Sequence, residues 1–277
     1  MWTRTGTLSK LVHANDVAEL QYEHDVMLEL YHESSGEIVR TYRMLHGSSR
    51  EIVSAQGENC DGFVGFAMQR EEDENLAEFL KNPKRRNMDI FFKLPFAKRL
   101  VDILIAVHSS DYVLMDFKPM NVVRVHENDD YVLKAIDFGS AKVFGAEITK
   151  DNAAGTPLYI SPEVVRLMRS SSSSSCEVVS AKPAIDVFSL GLSVFEIATG
   201  ISFWEYLDVR FHPTVDVPGV LKTAISLTDP STTAVLETSL PGEIYRDLRS
   251  WFLDALRARP VDRWTAKRLL TDQSLFR

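Results

Sequence analysis

The sequence is poor in cysteine, lacks long apolar runs and has no surplus of basic charge. Only two cysteines, Cys60 and Cys176, occur in 277 residues, and their contexts are unrelated. That pattern excludes a disulfide framework and a metal-type cluster, and points to reduced thiols inside the cell, with the cytoplasm as the expected compartment. The opening MWTRTGTLSK lacks the apolar core of a secretory signal. The longest apolar stretch, residues 100–108, is too short to cross a bilayer and is interrupted by Asp102, so no membrane segment is expected. Basic residues number 31 against 39 acidic ones, a net charge of −8. A general nucleic-acid binder normally shows the opposite balance, so no nucleic-acid partner is expected. No repeat of fixed period is present.

What is there is enough apolar residue for a sizeable core: 45% hydrophobic and 25% charged, with room for one large domain or two lobes. Residues 16–32 read as a helix, with Val17, Leu20, Met27, Leu28, Leu30 and Tyr31 near helical spacing and Asn15 or Asp16 as cap. Residues 37–45 and 62–69 read as strands, 75–80 and 91–109 as helices, and 121–125 and 131–136 as short β segments. From about residue 160 the patterns are mostly helical. Small and β-rich first, large and helical later, predicts an α+β fold of two lobes, residues 1–70 and 71–277. The unbroken serine run 170–175 has no apolar area to bury and reads as a mobile loop, and residues 208–240, with Pro213, Pro218 and Pro230, are poorly periodic.

The chemistry concentrates in Asp116-Phe117-Lys118-Pro119-Met120-Asn121. Sixteen residues after Asn121 stands Asp137-Phe138-Gly139, and twenty-two after Gly139 stands Ser161-Pro162-Glu163. Taken singly, each has an ordinary reading as turn chemistry between strands. As an ordered set with the lysine and proline inside the first piece, they resemble the D-x-K-P-x-N catalytic loop, D-F-G and A-P-E of the eukaryotic protein kinases. Gly155-Thr156-Pro157-Leu158-Tyr159 resembles the G-T-x-x-Y of the serine/threonine type. Asp186-Val187-Phe188-Ser189-Leu190-Gly191 resembles D-V-W-S-L-G, and Pro260 to Ala266 resembles the closing P-x-x-R-P-T-A. The resemblance runs from about residue 8 to 276.

The resemblance implies a phosphotransferase that uses ATP and Mg2+ and acts on protein hydroxyls. Asp116 would orient the substrate hydroxyl and accept its proton. Lys118 would neutralise charge on the γ-phosphate, and Thr156 would bridge to both. Asn121 and Asp137 would hold magnesium, which prefers hard oxygen ligands. Asp186 would accept hydrogen bonds from the catalytic-loop backbone, and Arg263 would pair with Glu163. On the nucleotide side, Glu23 fits the regulatory-helix pattern E-x-x-x-L-x-x-L-x-H and would partner Lys10. Lys10 also has a plain reading as a solvated surface lysine, with Glu23 an exposed helix charge. Met68 would be the gatekeeper, with Gln69, Arg70 and Glu71 along the adenine.

Two departures stand out. No G-x-G-x-x-G occurs in the sequence. Two strands and a glycine turn need roughly 15–20 residues, and only nine precede Lys10, so the phosphate-covering hairpin is expected to be missing from this chain, either because the sequence is a fragment or because the N-terminal lobe is reduced. The family's H-R-D reads Leu114-Met115-Asp116, which removes the arginine that usually anchors a phosphorylated activation loop. Thr149 is open to two readings, a phosphosite or an ordinary loop threonine. The leading expectation is an ATP-dependent serine/threonine protein kinase. The alternative is a pseudokinase scaffold, favoured by the missing glycine turn and opposed by the retained Lys10, Glu23, Asp116, Asn121 and Asp137. A small-molecule kinase is disfavoured by the Glu163 and Arg263 platform.

Overall fold

The computed structural model describes residues 8–13, 17–33, 41–46, 63–68, 74–127, 130–170, 178–207, 216–271 and 274–276, with 8–13, 41–46, 63–68, 126–127, 130–131 and 274 in backbone only. In chain order the described strands and helices are β1 (Leu8–His13), α1 (Val17–Glu33), β2 (Thr41–His46), β3 (Phe63–Met68), α2 (Leu76–Lys81), α3 (Pro83–Arg86), α4 (Ile90–Ser109), β4 (Tyr112–Val113), β5 (Val122–Glu127), β6 (Asp130–Ala135), β7 (Lys142–Val143), β8 (Glu147–Ile148), α5 (Pro162–Arg169), β9 (Val179–Ser180), α6 (Pro183–Thr199), α7 (Val217–Ile225), α8 (Asp229–Ser239), α9 (Arg246–Ala255) and α10 (Ala266–Thr271). The fold is α+β. Most of the serine run and the stretch 208–215 lie outside the described residues.

The chain packs as two compact units, residues 1–78 with 120–141, and residues 79–119 with 142–277. In the first, an antiparallel sheet has the order β1-β3-β2. Its register sets Lys10 opposite Phe66, and Met68 opposite both Leu8 and Thr41. Helix α1 packs on this sheet. It does so because Leu20, Met27 and Leu30 recur on one face and are buried, with Glu23 and His24 on the same stripe. The hairpin β5–β6 completes the unit, and Asn75 bridges to Val123 on it.

The second unit is built round α6, whose residues are buried almost continuously from Ile185 to Phe195. A helix apolar on all sides belongs in a core, and α4, in which Leu100, Val101, Leu104 and Val107 are buried, packs against it. The approach to the end of α9 is close: a Cβ on Gly191 would stand 2.7 Å from Leu256 Cδ2. Phe195 makes edge contacts with Phe203 and Phe252, and Trp204 with Phe203. Each buried ring stabilises the unit by roughly 2–3 kcal/mol. The helix stops at Gly200, which takes φ 73 in the left-handed region that glycine enters without a steric cost.

One ion pair ties α5 to the C-terminal part of this unit. The Arg263 guanidinium donates to both Glu163 oxygens at 2.6 and 2.8 Å, and also to the carbonyls of Arg257 and Ala184. Its side chain has no exposure. The pairing implied by the sequence is therefore present, with the arginine's remaining donors satisfied by backbone.

Candidate active site

In the second unit the loop that carries Asp116 turns on Met115, a non-glycine residue at φ 67. Such backbone is strained for a long side chain. It is held by Asp186 at the buried start of α6, whose Oδ2 accepts from Leu114 N–H at 2.7 Å and whose Oδ1 accepts from Met115 N–H at 2.9 Å. The His108 ring, at the end of α4, places Nε2 3.0 Å from Asp186 Oδ2. The Asp186 role follows the family pattern. The sequence reading did not single out His108; its only signal is a histidine closing a helix just ahead of the loop.

Beyond the strained turn, Asp116, Lys118 and Thr156 form a closed triangle. Lys118 Nζ donates to Asp116 Oδ2 at 2.5 Å and to Thr156 Oγ1 at 2.6 Å. The Thr156 hydroxyl and its backbone N–H both donate to Asp116 Oδ1, at 2.7 and 2.8 Å. Thr156 reaches this position because Gly155 precedes it at φ 139. A Cβ there would lie 3.1 Å from Ile160 Cγ1 and 3.3 Å from the Met115 carbonyl oxygen, so a side chain at 155 would be strained in its backbone and crowded against both. The arrangement keeps a carboxylate oriented and partly shielded, with a cation against it.

Next to this triangle, Tyr159 donates its hydroxyl to Glu196 Oε2 at 2.5 Å, and Ser189 and Trp204 bond the carbonyls of Tyr159 and Leu158. Burial raises both acid groups: Tyr159 stays a neutral phenol, helped by the Glu196 charge, and Glu196 is pushed above the usual carboxylate range although the tyrosine bond opposes this. This pair was not foreseen. A tyrosine and a glutamate 37 residues apart carry no local signal.

The first unit holds the other candidate residues. Asp137 sits at φ 66 with its side chain exposed. Both of its chain neighbours are fixed. Ile136 N–H donates to the Asn121 carbonyl at 2.9 Å, and Phe138 N–H donates to Glu23 Oε1 at 3.2 Å, with Phe138 and Glu23 both buried. Tyr22, the residue before Glu23, donates its hydroxyl to the Ala141 carbonyl at 2.8 Å. Helix α1 thus grips the Asp137–Ala141 stretch through two consecutive residues, and desolvation raises the Tyr22 phenol in doing so. The family resemblance pairs Glu23 with Lys10, whose side chain lies outside the described residues; among the described residues Glu23 accepts from the Phe138 amide. The backbone of Lys10 and of Met68 lies in the sheet, while their side chains, and Gln69, Arg70 and Glu71 entirely, fall outside the described residues.

No group of three His, Cys, Asp or Glu side chains suited to a metal occurs among the described residues. The candidate magnesium ligands in the first unit are the carboxylate of the exposed residue Asp137 and the amide of the buried residue Asn121, whose chain segments are joined by the Ile136–Asn121 backbone bond. Two hard oxygen donors fit an ion that keeps its remaining positions for water and phosphate.

The protein kinase domain family matches residues 8–275. The chain belongs to the protein kinase family. Among curated kinases it is 28% identical over 170 residues to the serine/threonine-protein kinase mph1 of Schizosaccharomyces pombe, a match covering 60% of this chain and 24% of that one. It is 29% identical over 164 residues to the probable serine/threonine-protein kinase 2 of Plasmodium falciparum, covering 59% and 29%. To the mitogen-activated protein kinase kinase 8 of Arabidopsis thaliana it is 29% identical over 171 residues, covering 61% and 48%. The matched region thus spans between about a quarter and a half of these relatives. With the protein kinase family established, the triangle in one unit and the Asp137 turn in the other are where the family's D-x-K-P-x-N and D-F-G residues fall.

Proposed function

We propose that this protein kinase domain transfers the γ-phosphate of ATP to serine or threonine hydroxyls of a protein substrate. The observation that carries the reading is the Asp116–Lys118–Thr156 triangle. Asp116 aligns the incoming hydroxyl and takes its proton as the new oxygen–phosphorus bond forms and the bond to the β-phosphate oxygen breaks, leaving ADP. Lys118 Nζ faces the charge that builds on the transferred group, and Thr156 keeps Asp116 in one orientation through both of its donors. Magnesium, when bound, would neutralise phosphate charge, with Asn121 and Asp137 as the residues that hold it. The family resemblance assigns Lys10, Met68, Gln69, Arg70 and Glu71 to the nucleotide.

A second reading, a kinase fold retained as a binding scaffold, is favoured by one observation: the sequence contains no G-x-G-x-x-G. A phosphate site that no glycine turn covers leaves ionic contacts screened by water and preorganisation worth less. A radiolabel transfer assay on a generic serine/threonine substrate, with Asp116→Ala as the blank, separates the two. Magnesium-dependent label above the blank supports the kinase. Label equal to the blank, in protein that binds nucleotide, supports the scaffold.

A further inference from the structure

We propose that the turn joining α2 to α4 is a peripheral contact site for an anionic bilayer surface. Three observations meet there. The first is charge: Lys81, Lys84, Arg85 and Arg86 fall within six residues of a chain whose net charge is −8, and Lys81, Lys84 and Arg86 are exposed. The second is exposed apolar area in the next few residues. Phe92 is 68% exposed, Met88 and Phe91 are also exposed, and Phe91 stacks on Tyr245 at 6.2 Å, which brings in Ile244 at 69%. Rings projecting beside cations are an arrangement suited to the headgroup boundary, where the rings enter and the cations meet anionic lipid.

The third observation is rigidity. Arg85 and Arg86 N–H both bond the Asn82 carbonyl, and Met88 N–H bonds the Arg85 carbonyl. Asp89 caps α4 through Phe91 N–H at 2.9 Å. Lys93 is buried, and its ammonium ties the Arg86 carbonyl at 2.7 Å to the Ala198 carbonyl at 3.1 Å. Burial and then the Arg86 charge hold Lys93 below the usual lysine range. Its buried carbonyl bonds make it an anchor of the turn rather than part of the charged surface. The half-buried Arg85 guanidinium lies 3.7 Å over the Phe79 ring and donates to the Phe79 carbonyl. The acids near this region include Asp89, spent as a cap, Glu196, buried and hydrogen-bonded to Tyr159 within reach of the Arg86 charge, and Glu243 and Asp247, both beside Arg246. A peptide partner would need a groove. The cleft between Ile90, Lys93, Ala97 and Leu248 offers about 10 Å³, room for about one water and no side chain. Since no described helix is long and apolar enough to cross a membrane, the contact is superficial.

The test is sedimentation of the full chain with phosphatidylcholine vesicles, with and without about 30% phosphatidylserine. Binding is expected only with the anionic lipid, and about 0.5 M salt should release it. Lys84→Ser should weaken binding about fivefold, and Phe92→Ser several-fold more at an unchanged melting temperature. Lys81→Ser, on the exposed end of α2, provides an independent charge variant should either of these fail to fold. Soluble polyglutamate separates a lipid surface from an acidic polypeptide. No anionic-vesicle binding, binding indifferent to Phe92→Ser, or equal binding to polyglutamate would overturn the proposal.

Discussion

The two aspartates that the protein kinase resemblance singles out are held by opposite means. Asp116 is fixed through its side chain: both carboxylate oxygens are engaged, by Lys118 and by the two donors of Thr156. Asp137 stands on a fixed backbone, at φ 66 between neighbours bonded to Asn121 and Glu23, and the residue is exposed. The contrast follows the chemistry proposed for each. A group that must meet a hydroxyl in one orientation gains from a rigid, charge-compensated mount. A metal ligand must be reachable by an ion that brings its own water and phosphate, so the chain behind it is fixed and the residue lies at the surface.

The largest effects should come from cutting each aspartate's charge. Asp137→Asn is expected to abolish magnesium-dependent ATP binding, measured by calorimetric titration with and without the metal. Asp116→Asn should leave that binding in place while lowering phosphate transfer by about 10²–10⁴-fold. If the two variants behave alike in both assays, the contrast between the mounts has no functional content.

A smaller effect should follow from loosening the Asp116 mount alone. Thr156→Val removes the hydroxyl and keeps the shape. Losing a hydrogen bond to a charged group, worth about 1.5–3 kcal/mol, should lower kcat on the order of tenfold or more. Thr156→Ser keeps the donor and should stay within a few-fold of the parent. Equal loss in both variants would point to packing of the methyl group instead.

Arg263→Ala tests the scaffold under the triangle rather than the triangle itself. It strands the Glu163 carboxylate and should cost about 3–5 kcal/mol, a fall in melting temperature on the order of 10 °C for a unit of this size. Replacing both partners by alanine should cost less than the sum of the single changes, because no unpaired charge is left behind. Additive losses would show that the pair is not coupled.

The smallest effect is a pH dependence from Glu196. Burial raises its folded-state value above the ordinary 4.5. A raised carboxyl favours the folded state most when protonated, so its contribution is full below about 4.5 and is lost as pH rises through the raised value. Glu196→Gln should therefore flatten the fall in melting temperature between mildly acidic and neutral pH. An unchanged pH profile in the variant would remove Glu196 as its source.

Much of the arrangement was legible from the chain because it is local. Helix α1 is written in the spacing of Leu20, Met27 and Leu30, and the β5–β6 hairpin in two short β-rich runs, since periodicity of 3.6 or 2 reports a single buried face. The order of Asp116, Asp137, Glu163, Asp186 and Arg263 was readable only through the family resemblance; no residue in it announces its partner. Contacts across long separations left no trace in the sequence: Glu23 with the Phe138 amide, Tyr22 with the Ala141 carbonyl and Tyr159 with Glu196. Nor did the sequence show that Met115 would take a left-handed backbone. Nothing about methionine favours that turn. It persists because the buried Asp186 carboxylate bonds the two successive amides that lead into the strain, Leu114 and Met115. Helical and strand character are properties of a few neighbouring residues, whereas a strained turn depends on whichever distant group is folded against it.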